Sequence, residues 1–134
     1  MKTRRAFAAF AFVLISAVLG GVVYAHHSQA GFETPDKAKP LKGTVVEFRW
    51  RNPHVLIFWD VKETDGKNTR WVGELGSVTS VLAGGIMTKN SLKPGDEIQV
   101  LAIPSRAGTP EAIIRQLKRA DGTILSGEGA NTRE

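Results

Sequence analysis

Two rhythms of apolar residues divide this chain. From Ala6 to Val18 the apolar positions are nearly unbroken and include Phe7, Phe10, Phe12, Leu14 and Ile15. Beyond Pro40 they alternate with polar ones, the period of half-buried strands. Leu41 to Trp50 carries Leu41, Gly43 and Val45 on one parity, then Val46, Phe48 and Trp50 on the other. That switch predicts a bulge, which bends a strand. His54 to Lys62 sets Val55, Ile57, Trp59 and Val61 against Leu56 and Phe58. A strand apolar on both sides is central or covered. Asp65-Gly66 marks a hairpin tip, and Thr69 to Leu75 follows as a third strand, with Trp71 and Leu75 opposite Val72 and Glu74. Glu97 to Ile103 alternates again. Glu111 to Ala120 reads as a fifth strand, with Ala112, Ile114 and Gln116 against Ile113, Arg115 and Leu117, although a helix is an alternative there. Asp121-Gly122 then predicts a further hairpin into Thr123-Ile124-Leu125.

Between the third and fourth strands the period changes. Ser77 is a capping residue, and Val78, Val81 and Leu82 recur at helical spacing until Gly84-Gly85. Five strands with one short helix in that place are the order of an OB-type barrel. The expected architecture is therefore all-β with one short helix, a small five-stranded OB-like barrel preceded by a signal peptide. Its boundaries are a signal over 1–25, an extended arm over 26–40, the barrel over 41–125 and a flexible tail over 126–134. Phe32 is the large apolar anchor of the arm, and Pro35 and Pro40 are expected to keep it out of a helix.

Composition changes the picture at the amino end. Lys2, Arg4 and Arg5 precede the apolar run, and Val23-Tyr24-Ala25 offers a small-residue cleavage pattern. Together these predict a Sec-type export signal, hence a periplasmic or secreted protein with no stable membrane anchor once the signal is removed, the alternative being an uncleaved anchor over Ala6 to Ala25. Removing 25 residues from 134 leaves 109, enough for one domain. Of 18 basic residues 15 remain, against 13 acidic ones. So slight a bias does not point to nucleic acid, which wants a clustered basic face. With no cysteine in the chain, disulfides and thiolate sites are excluded, and any metal must take nitrogen and oxygen ligands.

Several short runs occur in one chain: Ala25-His26-His27-Ser28, Gly43-Thr44-Val45, Asn52-Pro53-His54, Trp71-x-x-Glu74-Leu75-Gly76-Ser77 and Leu92-Lys93-Pro94-Gly95-Asp96. In this combination the chain resembles a family of small exported bacterial proteins classed as a domain of unknown function. The resemblance implies an envelope location and a small β-barrel, and it implies no activity. It directs attention to His26, His27, Asn52, His54, Trp71 and Glu74. The chain departs from that pattern at Gly84-Gly85-Ile86, where an aromatic or basic residue often follows the helix.

The candidate chemistry begins with histidine. Cleavage after Ala25 would leave His26-His27 as the new terminus, with a free amine beside an imidazole. Such a terminus chelates copper-like metals, because nitrogen-rich tetragonal sites suit Cu(II). The remaining histidine, His54, starts the second strand, and Glu74 supplies a carboxylate either as ligand or to hold an imidazole. The metal set is thus His26, His27, His54 and Glu74, with copper as the expected ion. The alternative is an envelope interaction module. Phe48, Trp50, Phe58, Trp59 and Trp71, with Arg49, Arg51 and Arg70 nearby, would present a face on strands one to three for a peptide, glycan or protein partner, centred on Arg51, Asn52 and Trp71. Packing in the core is the competing role for those aromatics. No nucleophile elbow, phosphate loop or placed carboxylate pair is present, so no enzyme is expected.

Overall fold

The computed structural model describes residues 29–126. The expected signal, His26, His27 and the tail beyond Ser126 lie outside them. The chain divides into two units at Gly31/Phe32, and the second holds every strand among the described residues. The strands are β1 (Lys39–Arg49), β2 (Leu56–Lys62), β3 (Asn68–Glu74), β4 (Glu97–Pro104), β5 (Glu111–Arg119) and the short β6 (Ile124–Ser126). One helix, α1 (Val78–Ala83), lies between β3 and β4.

The sheet runs β3-β2-β1-β4-β5-β6, and β3 also pairs with β5 in parallel. That pairing, over Val72–Glu74 and Glu111–Ile113, closes five strands into a barrel. β6 extends β5 outside the ring as the arm of the hairpin that Asp121-Gly122 predicts. The bulge expected at Val45-Val46 is present, since Val45 faces Trp59 while Glu47 faces Phe58. β1 is also the strand that changes partner. It pairs with β4 from Lys39 to Thr44 and with β2 from Thr44 to Arg49. Gly43 sits at that crossing because nothing larger fits: a Cβ there would lie 2.1 Å from the Asp60 carbonyl oxygen.

The alternation in β5 is broken where the sequence reads as regular. Leu101 faces Gln116, yet Ala102 faces Ile114, so Arg115 is an extra residue on the β5 side. The bulge moves Leu117 onto the inner face with Ala112 and Ile114, and Gln116 out of it.

The core consists of the inward set of each strand, with Val45, Ile57, Trp59, Trp71, Val100, Ile114 and Leu117 at its centre. Met87 and Leu92, from the segment after the helix, and Leu125 of β6 complete it. Trp59 and Trp71 stack at 6.2 Å between ring centroids, and neither indole N–H has a partner. Helix α1 is capped by the Ser77 hydroxyl, which accepts from the Ser80 N–H at 3.2 Å. The arm meets the barrel at Phe32, which bridges to Ser105, and the Arg106 side chain donates to the Phe32 carbonyl at 2.7 Å. Pro35 does not exclude helix altogether. It opens a single 3₁₀ turn, Pro35–Lys37, at the position where its missing N–H costs nothing. The arm also ends earlier than its composition implies, because Lys39 and Pro40 already belong to β1. Among the described residues no helix is long and apolar enough to cross a membrane.

Candidate functional site

Two regions of the barrel surface carry chemistry, and the first is set by strand register. β2 and β3 extend their pairing past Leu56 and Glu74, through the Val55 N–H on the Gly76 carbonyl and the Leu75 N–H on the Val55 carbonyl. Val55 and Leu75 point inward and are buried. His54 and Glu74 therefore stand outward on a diagonal between the two strands, within reach of long side chains. His54 Nδ1 lies 2.9 Å from Glu74 Oε1, and the two side chains are 40 % and 31 % exposed. The carboxylate fixes the ring and occupies Nδ1, which leaves Nε2 as the nitrogen that can bind a ligand. Histidines that hold metals are commonly oriented this way.

The turn before His54 is tied down separately. Asn52 Oδ1 accepts from the Val78 N–H at 3.0 Å, so this side chain caps the first turn of α1 and anchors the turn to the helix. The Asn52–Pro53 peptide is cis. Arg51 beside it is exposed.

Of the residues singled out from sequence, His54 and Glu74 are brought together, while Asn52 stands close in the chain with a structural bond of its own. His26 and His27 fall outside the described residues. Trp71 is elsewhere: it is 8 % exposed, stacked on Trp59, with Lys39 Nζ 5.1 Å from its ring. Two of the three tryptophans are thus core, which leaves Phe48, Phe58 and Trp50 as half-buried aromatics. Phe48 packs edge-on to Trp50. Two of the nearby arginines are already engaged. Arg49 lies over the Phe58 ring and bonds Glu47, which holds the Glu47 carboxyl below its ordinary value. Arg70 grips Asp60 with both arms of its guanidinium and lowers that carboxyl likewise. Among the described residues no three His, Asp or Glu side chains converge as a metal set.

The second region escapes a reading of the sequence one strand at a time. Where β1 parts from β2, a groove of about 720 Å³ opens. Lys42, Lys62, Lys118 and Arg119 line it, together with Asn68, Gln99, Asp60 and Glu97. Register assembles it: Lys42 pairs with Gln99, Gln99 with Lys118, and Lys62 with Asn68. These lysines stand 20 and 56 residues apart in the chain, and only the alternation of β1, β2 and β5 taken together with their pairing would have placed them on one side.

Neither curated proteins nor solved structures match this chain. A family model, by contrast, matches residues 13–114, a span that takes in His26, His27, the Asn52-Pro53-His54 turn, Glu74 and four of the five barrel strands in full. On that match the chain belongs to the family of unknown function DUF6152.

Proposed function

We propose that this protein is an exported, periplasmic binding protein that holds a copper-like metal ion, using Nε2 of His54 and the amine and imidazole of a processed amino terminus at His26, with His27 assisting. The observation that carries this reading is the 2.9 Å contact between His54 Nδ1 and Glu74 Oε1. It leaves Nε2 as the imidazole nitrogen not engaged by Glu74, on a half-exposed side chain two residues before β2. A lone imidazole does not make a site, so the remaining donors must come from elsewhere in the chain, and the sequence holds its other two histidines at positions 26 and 27. Chain length is no obstacle. Glu33, Pro104, Ala112 and Gly73 lie on one rung of the barrel wall, next to Glu74. Three strand spacings make about 14 Å along that wall. The seven-residue reach from His26 to Glu33 is about 23 Å when extended. Glu74 then serves as the residue that positions His54.

The test is a Cu(II) titration of protein beginning at His26. Tight one-to-one binding is expected, lost when one residue is added ahead of His26 and weakened in His54→Ala. Glu74→Gln should lower affinity about 10- to 100-fold while leaving the barrel folded. Tight binding that survives the added residue would overturn the terminal chelate.

A further inference from the structure

We infer that the groove at the parting of β1 and β2 is a binding site for a small multivalent phosphate anion. It stands at the opposite end of β2 from His54, and it does not depend on the metal reading.

The argument starts from unbalanced charge. Lys42, Lys62 and Lys118 line one recess, and none of them has an ion pair among the described residues. Gln99 separates Lys42 from Lys118, and Lys62 faces Asn68, so the three charges share the recess without being directly opposed. The groove contains two carboxylates that could have balanced them. Asp60 is consumed by the two-pronged Arg70 contact, on the same wall. Only Glu97, at the start of β4, remains against the three ammonium groups. Arg119 adds a fourth positive charge at the rim, with one guanidinium nitrogen donating to the Ser91 carbonyl. Neutral donors complete the set: the amides of Asn68 and Gln99 stand in register with Lys62 and Lys118.

The lining also says what does not fit. It contains no aromatic side chain. Single-stranded nucleic acid needs stacking platforms, so it is a poor occupant. Ammonium groups act as compact point charges, a common way of holding phosphate, and the guanidinium of Arg119 can fork onto a phosphate as well. Three lysines spread over β1, β2 and β5 suit an anion with several phosphate groups better than a single one. The site is a recess formed by diverging strands, which favours a soluble anion over the flat surface of a bilayer.

Tripolyphosphate is the probe. Isothermal titration of the folded chain at low salt should give one saturable site that weakens steeply as salt rises. Lys42→Ala combined with Lys62→Ala, and separately Lys118→Gln, should each weaken it about tenfold or more. Arg51→Ala, at the far end of β2, should not change it. The far-ultraviolet circular dichroism of each variant establishes that it folds, and Lys42→Glu supplies an independent charge reversal should the double variant not fold. Orthophosphate should bind far more weakly, and citrate, with fewer negative charges, should compete only weakly. The proposal is overturned if tripolyphosphate does not saturate, if Arg51→Ala weakens binding as much as the lysine variants do, if citrate binds equally well, or if only vesicles containing phosphatidylglycerol bind.

Discussion

Asp60 lines the groove and is held by Arg70, which makes its carboxyl easier to ionise. The guanidinium bonds hold its carboxyl below the ordinary value of 3.8, against a smaller opposing effect of burial. A carboxylate whose value is lowered on folding stabilises the fold above its unfolded value, and that contribution disappears as the pH falls through the lowered one. Arg70→Ala should therefore lower the urea midpoint at neutral pH, and the gap from the parent should close below pH 3.8. Equal gaps at both pH values would show that Arg70 acts through packing instead. At the same scale, His54 and Glu74 were legible as candidates because histidine is scarce and a strand start is an exposed place. Glu74 was expected either as a ligand or to hold an imidazole, and what brings it to His54 is the diagonal that the β2–β3 register creates. Trp71 shows the converse. Its alternation with Val72 placed it on a face, but only the barrel decides that this face is the inside.

Among the elements, β1 was the easiest to read and is the most constrained. Its parity switch announced the bulge at Val45, and Gly43 marks the point at which the strand leaves one neighbour for the other. Gly43→Ala would drive a methyl group into the Asp60 backbone, which cannot yield as a side chain tip can. The expected cost is about 1–3 kcal/mol or more, visible as a lower midpoint in chemical denaturation, and an unchanged midpoint would mean that β1 can shift without loss. The β5 bulge was missed for a physical reason. Ala112, Ile114 and Gln116 form an unbroken alternation, and nothing local distinguishes Arg115 as the inserted residue until Leu101 and Ala102 fix its partners. Helix α1 was signalled by Ser77, but the second bond at its start, from Asn52 across 26 residues, is tertiary. Asn52→Ala should cost about 1 kcal/mol, read as a lower thermal midpoint.

For the molecule as a whole, strand count, helix position and strand order agreed because each strand carries its own alternation and each turn its own glycine or proline. Ring closure was not written in any segment, since the β3–β5 pairing joins residues about forty positions apart. All three tryptophans lie in or against one core, and the chain has no cysteine to divide it into linked subregions. Unfolding followed by tryptophan fluorescence and by far-ultraviolet circular dichroism should give superimposable transitions, and separated ones would reveal a barrel that opens in stages. The clasp of that ring is short, Val72–Glu74 against Glu111–Ile113, and its last residue on β3 is the acid that steadies His54. Occupancy at His54 and latching of the hoop thus share a residue. Should a guest at His54 hold Glu74 against Ile113, reciprocity requires that a closed ring grip the guest more tightly by the same factor, so the guest would act as a rivet for the wall.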